Sequence, residues 1–434
     1  VTTPSGDRRP HLIRRSNSQV LPLELFFDLV FVLAITQCTA LMAAQPTWSG
    51  LVRGLLALAV LWWAWSGYAW LTSVIDPEED ATRITMFAAM SAMLVVSLCV
   101  PEAFGDLGLM FAIGYAVVRT VHIVLFVLAS PDDADLRSSV TSLAVSTAVA
   151  VGLLVGASFL DGVPQGALWA LAILLDFGGP FLFGVQGWRL VPGHFAERFG
   201  LIIIIALGES IVAIGVGAED VSIDGVVITI AVLGVFLAAA LWWLHFDVVA
   251  LATERRLAAL PPGRAQNALA RDAYSYIHLL LVAGIVLVAL GLKTVIAHAT
   301  DPLHIEIGAA LAGGLALYLA GHVLFRWRFV HTINRERLGV AALLAAFVPF
   351  VPSMPAWVAL VVVSVVVWAL VIYETTAWSD TRHLIRDEHG LPGDDGMARR
   401  GGAEPEGTAG AEPEGTAGAE PEGTAGTESE GTGD

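Results

Sequence analysis

The sequence predicts an all-α, polytopic integral membrane helix bundle of about twelve transmembrane helices, arranged as a parallel 6+6 pseudo-repeat and followed by a disordered acidic C-terminal tail. Three observations predict it. The 434 residues are 56% hydrophobic and only 15% charged, with a mean hydropathy of +0.72, whereas a soluble domain carries roughly 25% charged residues. The apolar residues fall in runs of about 20, the length a helix needs to cross a bilayer. The basic residues sit at alternate connections between those runs, as a fixed orientation in a membrane requires.

Residues 1–20 form a polar, basic arm with Arg8, Arg9, Arg14 and Arg15. They lack the short apolar core and small-residue cleavage site of a secretory leader, so the arm is expected to be retained in the cytoplasm. Twelve spans follow, at about 21–44, 50–74, 82–101, 105–130, 138–160, 164–186, 196–217, 222–246, 273–297, 303–325, 336–352 and 356–377. The eleventh is short and ends Val348-Pro-Phe-Val-Pro352, so it is expected to be tilted, broken or re-entrant. With the N-terminus inside, twenty of the twenty-three Lys and Arg fall on inner connections. Arg53 and Lys293 fall outside, and Arg119 lies within span four. One span more or fewer would invert every later loop, so both termini are expected in the cytoplasm of a bacterial cell, across its inner membrane. Hydrocarbon offers backbone groups no partners, so each span must be helical.

Three pairs of short matches suggest the repeat. Glu24-x-Phe26 pairs with Glu197-x-Phe199, Leu61-Trp-Trp63 with Leu241-Trp-Trp243, and His122-Ile-Val-Leu-Phe126 with His322-Val-Leu-Phe325. Six spans separate the members of each pair, so the halves share one orientation, as in parallel-repeat transporters. The expected organisation is an arm at 1–20, a first half at 21–186, a second at 187–377 and a tail at 378–434. From Trp378 onward fourteen Asp and Glu stand against four Arg, and Ala-Glu-Pro-Glu-Gly-Thr-Ala-Gly repeats three times from Ala403 to Gly426. After Arg400 there is no large apolar residue to bury, which predicts disorder over residues 390–434. Cys38 and Cys99 both fall inside spans, so a disulfide framework or Cys-rich metal site is excluded.

The segment Leu21-Pro-Leu-Glu-Leu-Phe-Phe-Asp-Leu-Val-Phe-Val-Leu-Ala-Ile-Thr-Gln37 resembles the signature of the bacterial low temperature requirement A (LtrA) family. Asp76-Pro-Glu-Glu-Asp80 with Arg83, Val100-Pro-Glu-Ala-Phe104, and Glu197-Arg-Phe-Gly-Leu201 running on to Leu207-Gly-Glu-Ser210 fit the same family. The resemblance covers residues of about 10 to 380. It implies an integral membrane protein linked to growth in the cold, and it supplies no catalytic residue. More remotely, Phe26-Phe27-Asp28 and the residues up to Thr36 are similar to the pore-lining first helix of six-helix-repeat lysosomal-type potassium channels. This chain departs from that pattern, with Phe27 in place of a serine and no basic residue at the expected position.

Ionisable groups at membrane depth are costly and by default mark a pathway, a relay or a buried pair. Glu24, Asp28, Phe31, Ile35 and Cys38 share one stripe of span one. Asp28, Thr36 and Gln37 there, Asp176 in span six, and Glu209 with Ser210 in span seven are the candidates for an ion or substrate pathway. Glu209 lies about 17 Å beyond Arg198 along a straight helix, flanked by Gly208 and Ser210, and can serve as a proton or cation site. Asp176 precedes Gly178-Gly-Pro180, which suggests a helix broken at mid-membrane, as binding sites often need. Alternatively, each carboxylate is tied up in an ion pair. Glu24, Arg119, His122, Glu197 and His322 are the supporting polar residues, with Arg119 expected to neutralise Asp28 or Asp176. Glu24 and Glu197, near the cytoplasmic interface, are more readily caps or ion-pair partners. Lys293 is expected to snorkel, and Trp62, Trp63, Trp65 and Trp70 to pack and anchor. The acidic turn at Asp76–Asp80 is expected to be solvated and to cap span three rather than to bind a metal.

No nucleotide-binding, zinc-protease or serine-hydrolase motif is present. The expected activity is therefore passive or ion-coupled movement of a monovalent cation or proton. The protein is not expected to be an enzyme, to use a cofactor or metal, or to bind nucleic acid. The lipid bilayer is its expected surrounding, and a homo-oligomer is compatible with it. The rival expectation is a sensor or scaffold that transports nothing and is linked to cold adaptation. An intramembrane enzyme using Glu209 or Asp176 with a histidine is the third.

Overall fold

The computed structural model describes residues 19–129, 134–182 and 187–379. Nearly all of the predicted arm and the predicted repeat tail lie outside them. Among the described residues the chain is almost entirely helical, with an isolated bridge between Pro302 and Pro355. The first half is α1 (Pro22–Ala44), α2 (Trp48–Thr72), α3 (Asp80–Cys99), α4 (Gly108–Ala129), α5 (Ala134–Ala157) and α6 (Gly162–Leu182). The second begins with α7 (Pro192–Gly217) and α8 (Gly225–Phe246), then two short helices, α9 (Val249–Ala258) and α10 (Arg264–Ala270). It continues with α11 (His278–Ala297), the single turn α12 (Ile305–Gly308), α13 (Gly314–Val330), α14 (Arg335–Phe347) and α15 (Ala356–Ala377). Eleven helical segments among the described residues are long and apolar enough to cross a membrane. They coincide with the predicted spans except the sixth. That one is α6, a 21-residue helix whose polar start, Gln165, bonds back to the Phe104 and Ala157 carbonyls.

Local chemistry sets the helix ends. Pro22 opens α1, and Glu24 in its first turn accepts the Leu21 backbone N–H at 2.9 Å. Thr47 caps α2, Asp224 caps α8 and Asn334 caps α14 through side-chain oxygens, each satisfying an otherwise orphaned N–H. The eleventh span is interrupted as its prolines predict: α14 tightens into a 3-10 segment over Val348–Ser353. The Gly-Gly-Pro stretch, by contrast, does not break its helix. α6 runs through Pro180 to Leu182, and side chains from the Arg271–Ile277 stretch bond to carbonyls on either side of the break the sequence suggests. Tyr276 O–H donates to the Phe177 carbonyl, and Arg271 Nη1 donates to that of Pro180 at 3.0 Å.

Packing repeats between the halves. α1 packs on α2 and α3, and α7 packs on α8 and α11. The third span packs on the fourth, the fourth on the fifth, the fifth on the sixth and the second on the sixth; the same relations hold for α11 on α13, α13 on α14, α14 on α15 and α8 on α15. The halves meet where α1 and α2 lie against α7 and α11. Three donors from α2 fasten that seam. Trp62 Nε1 donates to the Ser275 carbonyl at 2.7 Å, and Trp70 Nε1 and the Ser66 hydroxyl reach the Ser275 hydroxyl at 2.9 and 3.0 Å. Ser275 belongs to a π-helical stretch, Arg271–Ile277, that leads into α11.

The small-residue spacings Gly313-Gly314 and Gly208 to Gly215 suggest close helix approach, and of these Gly314 makes one: a Cβ there would fall 2.8 Å from Leu287 Cβ and 2.9 Å from the Gly284 carbonyl. Nothing lies within 4 Å of a Cβ built on Gly208 or Gly215, and only Val348 touches one on Gly313, at 4.0 Å. The tight crossing is α11 on α13. A Cβ on Gly284 would fall 2.7 Å from the Gly314 carbonyl and 2.8 Å from the Tyr318 nitrogen. Gly284→Leu is therefore expected to cost at least about 1–3 kcal/mol, the usual penalty of overpacking a close-packed interior. Thermal unfolding in detergent measures it, with Gly208→Ala, which meets open space, as the control expected to unfold like the parent.

Candidate functional site

The seam between the halves holds a buried ionic cluster built from α1, α2 and α7. Glu24 and Asp28 are one helical turn apart and face Arg198, all three fully buried. Arg198 Nη2 donates to Asp28 Oδ1 at 2.5 Å, and Nη1 donates to Glu24 Oε1 at 3.2 Å and to the Thr72 hydroxyl at 2.9 Å. Trp65 Nε1 gives Asp28 Oδ1 a further bond at 2.8 Å, and its ring lies 5.7 Å beneath the guanidinium. His194 Nε2 sits 2.9 Å from Glu24 Oε1, and its Nδ1 is 3.2 Å from the Ser73 hydroxyl, which donates to the Ala69 carbonyl. Among the described residues one arginine and one histidine thus meet two carboxylates. Burial of charge is tolerated only when it is paired and hydrogen-bonded in this way.

Asp28 is therefore not an open pathway carboxylate, and its cation is not Arg119. The basic residue responsible, Arg198, counts in the sequence among the inner-loop arginines, yet it is buried in the bundle. Arg337 is a second exception: it is 7% exposed and forms a two-point pair with Glu374 of α15 at 2.8 and 2.7 Å. Two arginines are thus removed from the loop charge. The signal for Arg198 was available. It lies one residue beyond Glu197, four residues from His194 and on the same helical face as it, and the repeat aligns the segment with Glu24.

Arg119 instead pairs with Asp176, within the first half. Its Nη2 lies 3.3 Å from Asp176 Oδ1 and donates to the Thr147 hydroxyl at 2.7 Å; Thr147 donates onward to the same oxygen at 2.9 Å. Tyr115 O–H donates to Oδ2 at 3.1 Å, and Ser146 reaches Oδ1 at 3.5 Å. With both oxygens occupied, Asp176 ties α4, α5 and α6 together. Asp176→Asn should leave Arg119 buried without its counter-ion and lower stability by about 3–5 kcal/mol. Thermal unfolding checks it, and any flux remaining per folded molecule should be unchanged.

Glu209 is placed differently. It is 2% exposed on α7, and no cation forms an ion pair with it among the described residues. Its Oε2 accepts from the Thr36 hydroxyl of α1 at 2.5 Å. Thr36 and Glu209 occupy equivalent positions in the repeat, offset like Glu24 and Glu197, so the contact lies where the two halves cross. The Thr36 hydroxyl is also 3.2 Å from the Val32 carbonyl. A hydroxyl has one proton and two lone pairs. It can donate to a Glu209 carboxylate, or donate to Val32 and accept from a Glu209 carboxylic acid. The same heavy-atom geometry serves both protonation states.

The remaining candidates are dispersed. Ser210 is buried with no partner for its hydroxyl. Gln37 is half-buried and makes no hydrogen bond with the described residues. Glu197 accepts the Val20 N–H at 3.1 Å, the cap-like role expected of it. His122 is buried against Tyr68 and Phe126, and neither ring nitrogen has a hydrogen-bond partner among the described residues. His322 lies beside His245, with Nε2 3.3 Å from His245 Nδ1 and Nδ1 3.0 Å from the Tyr318 carbonyl. The Asp76–Asp80 turn is partly exposed, with Arg83 3.6 Å from Asp80. No group of three or more His, Cys, Asp or Glu among the described residues is arranged to hold a metal ion.

Comparison with known proteins agrees with this architecture. The family model for bacterial low temperature requirement A protein matches residues 19–372. An uncharacterized protein of Rhizobium meliloti (strain 1021) is similar at 27% identity over 337 residues, covering 73% of this chain and 80% of the relative. No solved structure matches.

Proposed function

The chain belongs to the bacterial low temperature requirement A family of multi-pass membrane proteins, and on that premise we propose that it moves protons or monovalent cations, as a channel or an ion-coupled transporter, with Glu209 as the ion-responsive carboxylate. The observation that carries this reading is the Glu209–Thr36 contact. Among the buried carboxylates described above, Glu209 alone makes no ion pair with a described residue, Lys293 acting on it only from beyond pairing distance, and it sits where repeat-related helices cross. Parallel-repeat transporters place their sites at such an interface. The hydroxyl partner accommodates a bound or released proton without a change of packing. The proposal places the protein in the bacterial inner membrane with both termini cytoplasmic, on the alternation of the basic loops.

One observation favours a second reading. The Arg198 and Arg119 clusters lock Asp28 and Asp176 in place, as a rigid sensor or scaffold would need. In that case cold-linked growth would depend on the bundle's stability and loops but not on Glu209. The two readings separate in proteoliposomes. The first expects ion flux above empty vesicles and its loss in Glu209→Gln; the second expects none from either protein.

A further inference from the structure

The second half contains a cavity of about 310 Å³ at the C-terminal ends of α8, α13 and α15, roofed by α9 and the start of α14. Trp243, Val249, Phe329, Val371 and Trp378 supply apolar walls. His322, 2% exposed, reaches it from below. Three arginines line it against two carboxylates. Arg337 is already committed to Glu374 and to the Leu244 carbonyl. Arg256 and Arg326 remain: both are exposed, and neither forms an ion pair with a described residue. Arg326 gives only its Nε, to Thr332.

The repeat shows what such a space holds when it is filled. Trp63 and His122, the counterparts of Trp243 and His322, line the corresponding space in the first half, but that cavity is only about 40 Å³. Trp70, Trp188 and Arg271 also line it, with Trp188 packed edge-on against Trp70 at 5.3 Å and against Phe126 at 4.8 Å. Protein side chains, two indoles and a guanidinium, fill it. The second half keeps the same tryptophan and histidine and leaves the space open, at the lower end of the volumes that hold small ligands.

We propose that this cavity binds an anionic amphiphile, its apolar body in the position that Trp188 takes in the first half and its head held by Arg256 and Arg326. The cavity lies at the ends of membrane-crossing helices, where lipid headgroups meet protein and basic side chains recognise anionic heads. The walls exclude a simple inorganic anion as the preferred occupant, since a bare anion would leave the two tryptophans uncovered. A bilayer phospholipid and a free fatty acid share the required chemistry.

Native mass spectrometry of the full chain, released from neutral detergent with added phosphatidylglycerol, phosphatidylcholine or oleate, tests this. Phosphatidylglycerol or oleate should be retained about tenfold or more over phosphatidylcholine, and whichever is retained identifies the source. Arg256→Gln with Arg326→Gln should abolish the preference. Ala252→Trp and, separately, Thr375→Phe, each filling the cavity from its rim, should abolish retention in protein that still elutes as the folded parent. Equal retention of the three lipids overturns the proposal. So does a preference that survives both the arginine pair and the two filling variants.

Discussion

Arg198→Gln is expected to yield little or no folded protein. The substitution leaves Glu24 and Asp28 fully buried one helical turn apart without the arginine that both of them meet. Breaking a buried ion pair from one side costs about 3–5 kcal/mol, and here two carboxylates lose the same cation. The Thr72 hydroxyl loses its donor as well. A domain's whole stability is about 5–15 kcal/mol, so the loss is of that order. Size-exclusion chromatography and thermal unfolding in detergent measure it. Asp28→Asn and Glu24→Gln introduced together with Arg198→Gln should restore a folded monodisperse protein, because the neutral set keeps the shape and removes the unpaired charge. If Arg198→Gln alone unfolds at the parent's temperature, the cluster does not hold the seam.

Glu209→Gln is expected to do the opposite: to keep the fold and remove the activity. No ion pair is broken, since none is formed, and an amide oxygen still accepts from Thr36. The change in stability should stay within about 1 kcal/mol, the usual scale of one neutral hydrogen bond. The amide cannot take up or release a proton. Flux per folded molecule should fall at least about tenfold, in keeping with the dominance of such intramembrane groups in pathways. Thr36→Val should weaken flux less, since it removes the hydroxyl partner but leaves the carboxyl. Glu209→Gln with parental flux would remove Glu209 from the pathway.

The sequence was most informative about architecture. Span limits and the interrupted eleventh span follow from apolar length and proline positions, and three short internal matches suggest the repeat. Which carboxylate pairs with which cation was less legible. Helical spacing places Glu24 and Asp28 on one face, but it says nothing about which face of another helix meets them. Arg198 was obscured because, at the start of an apolar run, a basic residue reads equally as loop charge or as buried partner. The Gly-Gly-Pro stretch suggests a broken helix, and the side chains that bond to it, Tyr276 and Arg271, come from about a hundred residues downstream, beyond the reach of local pattern. Gly208 illustrates the same limit from the other side: a small residue permits close approach, but only the neighbouring helix decides whether it happens.

Flux through the reconstituted parent protein tests the central claim most directly. Proteoliposomes carrying the full chain, loaded with a pH-sensitive dye and given a potassium or sodium gradient with and without an imposed membrane potential, should move protons or the cation faster than protein-free vesicles, and Glu209→Gln vesicles should match the protein-free ones. Parent vesicles indistinguishable from protein-free vesicles for protons, potassium and sodium would contradict the account and leave the buried carboxylates as structural groups of a sensor or scaffold.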